Sequence, residues 1–175
     1  MAETQLMTVF SDASFSSGKA GWAAWAKFRG EKFTMSSGIT FPVKTISDAE
    51  TIALCSAILR CIEKFDLLDT IVVAQSDSTD ALGALRWAEF ISGNTRLIRV
   101  AKSSDVHPSL PKKVEGVRRA FAERAFAEIR ERNLTIYLKH VRAHTGKDDA
   151  RSWVNEWCDK EAKKQMRSVV HQSAL

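Results

Sequence analysis

The stretch 71-IVVAQSD-77 constrains the fold of this chain more than any other. Its β-branched run has no polar alternation, which marks a strand buried on both faces. Such a strand lies inside a sheet, with a neighbouring strand on each side and helices packed above and below. The segments before it read differently. LMTVFS (6 to 11), AGWAAWAKF (20 to 28) and EKFTMSSGIT (31 to 40) read as three strands separated by short Ser/Gly turns, the pattern of an antiparallel meander. Pro42 closes that block.

The period then changes. Ile52, Ala53, Ala57, Ile58, Cys61, Ile62 and Phe65 form a helical stripe over residues 48 to 65, with Ser47 as its expected N-cap. The buried strand follows at 70 to 74, and a helix capped by Ser78 or Thr79 continues to about residue 91. Residues 92 to 113 carry two prolines and five basic residues and read as irregular. A helix over 114 to 132, a strand over 134 to 141 and a last helix over 152 to 166 complete the order β-β-β-α-β-α-loop-α-β-α. This order implies an α/β fold, a mixed sheet with helices on both faces. The expectation is one domain spanning residues 1 to 175, with a loosely ordered tail from about residue 167.

The composition, 45% hydrophobic and 27% charged, is that of an ordinary soluble globular chain, and the formal net charge of +5 favours a polyanionic partner. Cys55, Cys61 and Cys158 form no C-x-x-C pair and have no histidine at zinc-ligand spacing, so they read as buried reduced thiols. No apolar run approaches a membrane span, and the N-terminus lacks the order of a secretion signal. The expectation is a soluble, cytoplasmic protein without membrane association.

Four carboxylates stand where this layout would not ordinarily spend a charge. Asp12 ends the apolar run of the first strand, Glu50 stands at the core edge of the first helix, and Asp77 ends the buried strand. Asp159 lies in mid-helix beside the apolar line of Val154, Cys158 and Ala162, one turn past Asn155. Each has an ordinary reading alone: a strand-end turn, a helix-dipole acid, an N-cap and a solvated helix face. Together they can converge at the carboxyl ends of the strands, where sites of open sheets with parallel strands gather. Clustered carboxylates repel and raise one another's pKa unless a cation sits among them, and oxygen-only ligands suit Mg²⁺ or Mn²⁺. A pair of such ions roughly 4 Å apart serves in-line displacement at phosphorus. Asp148 and Asp149 read as loop charges outside the site, and His144, taken alone, reads as a surface histidine.

Five pieces in order, 10-FSDAS-14, 47-SDAETIAL-54, 74-AQSDSTDAL-82, 141-VRAHTG-146 and 155-NEWCDKEA-162, resemble the ribonuclease H type 1 family over nearly the whole chain. The resemblance implies the ribonuclease H-like fold, a five-stranded mixed sheet whose first three strands are antiparallel. It implies that Asp12, Glu50, Asp77 and Asp159 bind Mg²⁺ (Mn²⁺ substituting), two ions with substrate present, and that no small-molecule cofactor is needed. It implies that His144, on the loop before the last helix, assists proton transfer or product release, with Asn155 supporting the metal ligands. The implied reaction is cleavage of the RNA strand of an RNA–DNA hybrid by a monomer, giving 5′-phosphate and 3′-hydroxyl ends. Thr45 matches a threonine that helps hold the DNA phosphate. Residues 86 to 119, with Trp87, Arg96, Arg99, Lys102, Lys112, Lys113, Arg118 and Arg119, take the place of the family's basic substrate-binding protrusion. Four departures stand out: alanine follows Asp12 where the family usually has glycine, the loop 13-ASFSSGKAG-21 is short, Ile46 falls where the family has asparagine, and the stretch from His144 to Asp159 is longer than in the compact bacterial form. Another nuclease on the same fold, of the DNA junction resolvase type, and a non-catalytic nucleic-acid-binding module are the alternatives.

Overall fold

The first three strands run Leu6–Ser16 (β1), Lys19–Phe28 (β2) and Glu31–Ile39 (β3), and their register is antiparallel throughout. The structure is a computed structural model that describes residues 3–94, 96–142 and 150–170, without the side chains of residues 150 and 151. Helix α1 (Ile46–Phe65) crosses over to β4 (Ile71–Ser76), which pairs parallel to β1. Then come α2 (Thr79–Ile91), β5 (Ile98–Val100), α3 (Gly116–Glu131), β6 (Thr135–His140) and α4 (Ala150–Ser168). The sheet order is β3-β2-β1-β4-β6-β5, with β4, β6 and β5 mutually parallel.

The expected mixed sheet with an antiparallel first block is present, with six strands in place of five. The sixth is β5, three residues inside the stretch read as irregular. Three residues are too few to show a period. Its anchor is also remote: the buried carboxylate of Glu89 on α2 accepts the amides of Leu97 and Ile98, both at 3.0 Å.

The side-chain alternation of β1 divides the core. Met7 and Val9 join the large cluster beneath α1, α2 and α3, while Phe10 packs with Ala23, Val141, Cys158 and Ala162 under α4. All three cysteines are buried free thiols, and burial pushes those of Cys55 and Cys61 up to about 12, which excludes them as nucleophiles. No helix among the described residues is long and apolar enough to cross a membrane.

Two boundaries differ from expectation. Helix α1 starts earlier, because Thr45 is its N-cap: Thr45 Oγ1 accepts the Asp48 amide at 3.1 Å while Asp48 Oδ2 accepts the Lys44 amide at 3.2 Å. Ser47, expected to cap, lies inside the helix and donates its hydroxyl to Asp80 Oδ2 at 2.5 Å. At the other end, α4 continues to Ser168 and Val169 is buried at 7%, so the chain is packed past residue 167.

Helix α4 is seated by a glycine pair. Gly21 and Gly38 face each other across β2 and β3. A Cβ on Gly21 would collide with the Met166 amide and lie 2.7 Å from the Ala162 carbonyl, both backbone atoms of α4. Backbone cannot rotate away as a side chain can, so the helix itself would have to move. Gly21→Ala should therefore cost ~1–3 kcal/mol by overpacking, each kcal/mol lowering Tm by about 2–4 °C in a chain of this size. Thermal melting of the variant checks this, and an unchanged Tm would show that α4 does not rest on the pair.

Candidate active site

Strand register assembles the site. β1 pairs with β4 only from Leu6↔Ile71 to Phe10↔Gln75, and β4 ends at Ser76. Continued by two residues, that register sets Asp12 opposite Asp77. Strand β4 runs two residues further than the expected 70–74, which carries the chain directly to Asp77. Glu50 enters from the first turns of α1, a helix buried on nearly every side there.

One carboxylate oxygen from each of Asp12, Glu50 and Asp77 lies within 4.8 Å of the other two. Asp12 is 8% exposed and Glu50 6%, whereas Asp77 is half-buried. The Ala13 amide donates to Asp12 Oδ1 at 2.9 Å, and Glu50 Oε2 is buried with no hydrogen-bond partner among the described residues. Burial, and then the neighbouring charges of Asp77 and Asp159, push the Asp12 carboxyl up to about 7. Burial followed by the charges of Asp12 and Asp77 holds Glu50 well above the usual carboxylate range. A buried, mutually repelling, oxygen-only set with an orphaned oxygen is what a hard divalent cation would neutralise.

The fourth expected carboxylate is set apart. Buried Cys158 and Ala162 fix the rotation of α4 and bring Asp159 near enough for its charge to raise Asp12. However, Asp159 is not within the 4.8 Å group, and its Oδ2 accepts Lys163 Nζ at 2.8 Å. Three of the four expected acids thus form the close group, and Asp159 stands beside it. Lys163, one turn on, compensates the charge of Asp159. Half-buried Asn155 lines a cavity of about 260 Å³ with Thr8, Phe10, Trp25, Gln75 and Val154. His144, Asp148 and Asp149 lie outside the described residues.

The expected substrate surface divides. Trp87, placed there by sequence, is buried at 6% in the main core, with the Arg119 guanidinium 5.5 Å from its ring centroid. It lies on the inward face of α2, so it cannot offer a stacking face. Arg118 is half-buried and holds helices together: Nε donates to Thr51 Oγ1 at 3.3 Å and Nη2 to the Asp80 carbonyl at 2.9 Å. Lys112, Lys113 and Arg119 are exposed, the last two beside Glu115 and Glu123. Thr45 caps α1 next to Ile46, which is 46% exposed.

Two features escaped the sequence reading. Phe41 stacks on Phe121 at 5.9 Å and 22°, leaving Phe41 42% exposed at the surface. Nothing in either segment signals the other. His140 is the second: its Nε2 lies 3.1 Å from the Asp77 carbonyl. The nearest clue was its place at the end of a strand parallel to the one that carries Asp77.

The sequence profile of the RNase H family matches residues 4–167. No curated protein sequence matches the chain. Among solved structures, it is similar to the N-terminal RNase H domain of Rv2228c from Mycobacterium tuberculosis, with TM-score 0.60 and 14% identity over 94% of this chain and 96% of that one. It is similar to LC11-RNase H1 in complex with an RNA/DNA hybrid, with TM-score 0.60 and 14% identity over 92% and 96%. RNase H1 from the archaeon Halobacterium salinarum gives 0.58 and 15% over 94% and 99%.

The raised carboxyls make a prediction for the metal-free protein. Asp12 ionises near 3.8 when unfolded and near 7 when folded, so the folded state holds its proton more tightly. That contribution is complete below the unfolded value and is lost as pH rises through the folded one. In chelator, Tm should fall between about pH 4 and pH 8, more steeply than for Asp12→Asn. Parallel melting curves for the two proteins would remove the electrostatic account of the cluster.

Proposed function

The chain belongs to the RNase H family and is a ribonuclease H, and from this premise we propose that it hydrolyses the RNA strand of RNA–DNA hybrids. The observation that carries the proposal is the buried group of Asp12, Glu50 and Asp77, with the orphaned Glu50 Oε2 inside it. LC11-RNase H1, whose structure was determined with an RNA/DNA hybrid, supports the choice of substrate.

Asp12, Glu50 and Asp77 would hold Mg²⁺ or Mn²⁺, two ions with substrate present. When bound, such ions lower the pKa of water and offset charge on the phosphate oxygens. Asp12 and Glu50 would give up the protons that burial makes them retain. Asp159 would complete the set by releasing Lys163, an exchange that costs little because an ion pair this exposed is worth ~0–1 kcal/mol. His144 is the proposed proton carrier. Cleavage would leave 5′-phosphate and 3′-hydroxyl ends.

Thr45, Lys112, Lys113 and Arg119 would follow the phosphate backbone without reading sequence. The exposed Phe41, stacked on Phe121, and Ile46 would lie against sugar surface beside Thr45. The 2′-hydroxyls of one strand would identify the RNA. We also propose a monomeric, cytoplasmic enzyme.

The deciding experiment incubates the protein with labelled hybrid, double-stranded RNA and double-stranded DNA, each with Mg²⁺, Mn²⁺ or chelator. Cleavage of the hybrid alone, and only with divalent ions, is the expected outcome; equal cleavage of duplex DNA would sink the proposal. Asp77→Asn should abolish turnover and keep hybrid binding, because it removes a ligand charge but no phosphate contact. His144→Ala should slow turnover by roughly 10²–10⁴-fold, the contribution of a proton-transfer group. An unchanged rate would make it an ordinary surface histidine.

The basic residues separate by role. Alanine at Lys112, Lys113 or Arg119 should each reduce the slope of log K against log salt by about 1, equally for all sequences. Arg118→Ala should instead lower Tm, since its guanidinium joins α3 to α1 and α2. A slope unchanged by the first three would show that they do not touch the backbone.

A further inference from the structure

β6 ends at His140, whose ladder partner on β4 is Ser76. Asp77 is the next residue on β4's side, just past that last pair, and Ser78 behind it caps α2. His140 Nε2 stands 3.1 Å from the Asp77 carbonyl oxygen. A carbonyl cannot donate, so Nε2 carries the hydrogen. In the neutral ring Nδ1 is then a bare acceptor, and it is buried with no partner among the described residues. Leaving such an atom unsatisfied is unfavourable and uncommon in native folds. An apolar side chain at the same place would avoid that cost, so filling space does not explain a histidine here. The bond to Asp77 does.

The backbone of His140 is also held from outside. The His140 amide donates to Ser104 Oγ at 2.8 Å, and the His140 carbonyl accepts the Asp105 amide at 3.0 Å. Ser104 Oγ in turn donates to the Val106 carbonyl at 2.6 Å, and Asp105 Oδ2 accepts the Arg142 amide at 2.9 Å. On the β4 side, the Val141 amide donates to the Ser76 carbonyl at 3.0 Å. The segment after β5 therefore clamps the end of β6, and the end of β6 reaches across to the backbone of Asp77.

We propose that His140 is a positioning residue for the carboxylate group: its Nε2–H bond to the Asp77 carbonyl fixes the peptide that aims Asp77, and so sets how tightly the group holds divalent cations. This rests on the metal-binding reading of the site given above. Partners that orient metal ligands act on affinity while touching neither metal nor substrate. Ser104 and Asp105 act one step further out, by holding His140.

The test uses the full chain with His140→Leu, which removes the donor, and His140→Gln, whose amide nitrogen reaches about as far as Nε2. Ser104→Ala is a milder variant that loosens the clamp and leaves the ring in place. Mn²⁺ binding without substrate is measured by calorimetry, Tm is measured in chelator, and hybrid cleavage is followed as metal is varied. His140→Leu should weaken Mn²⁺ binding by roughly 10–100-fold, the range found for such supporting partners. Its KM for hybrid should stay unchanged, and kcat should recover at high metal concentration. His140→Gln should restore most of the affinity, and Ser104→Ala should fall between wild type and His140→Leu. A merely structural histidine would lower Tm and leave the Mn²⁺ Kd unchanged; that result overturns the proposal, as does a His140→Gln variant that melts like wild type yet binds as weakly as His140→Leu. If wild type itself binds no Mn²⁺, the reading of the site fails and this inference with it; if wild type binds and His140→Leu is unaffected, the inference alone fails.

Discussion

Repulsion among three carboxylates, two of them held out of water, is the constraint on which the rest of this structure depends. Asp12 and Glu50 are nearly inaccessible, and each is pushed toward its protonated form by burial first and by its neighbours second. Left to relax, such a group would turn outward and hydrate. It stays together because each acid stands on an element that the core does not allow to move. Asp12 lies on β1, paired with β2 from Met7 to Ser16, and Glu50 stands on a helix whose other flanks are packed. Because those elements are fixed, positive charge and not rearrangement is what would offset the repulsion.

The scaffold shows how that rigidity is built. Three helix starts meet near the site, and polar bonds tie them: Ser47 to Asp80, and Arg118 to both Thr51 and Asp80. On the opposite face, Gly21 and Gly38 let α4 approach closely enough for Cys158 and Ala162 to lock its rotation against Phe10 and Ala23. The glycines act on the acids through the position of the helix.

Much of this was legible in the sequence because it is written in periodicity. The turn-separated block, the helical stripe and the β-branched run gave the element order and the mixed sheet, although β4, expected to be buried on both faces, alternates between half-buried and buried residues because one face is only partly covered. Asp12, Glu50 and Asp77 were legible because each breaks such a pattern. What was missed depends on partners distant in the chain. Ser47 was expected to cap α1 by residue type alone, yet Asp80 on another helix engages it and Thr45 caps instead. Trp87 carries a large aromatic surface that suits either a platform or a core, and only the fold decides. The short β5 depends on the carboxylate of Glu89, and His140 acquires its role only when β4 and β6 lie side by side.

Asp159 shows where pattern and outcome diverge most usefully. Its place beside an apolar helical line was read as the fourth member of a converged set. It is instead a half-buried acid paired with Lys163, with side-chain exposures of 22% and 46%. The two halves of the site thus differ in kind. Asp12 and Glu50 have little solvent to stabilise them, so only protons or a cation can settle their charge. Asp159 already has a counter-ion, in an environment wet enough for the exchange to be cheap. Lys163 therefore supplies positive charge beside Asp159. It does so without crowding the buried group, because it approaches from one turn further along α4. On the metal-binding reading proposed above, the buried acids would set whether the site takes up a cation, and Asp159 would have to exchange Lys163 for it.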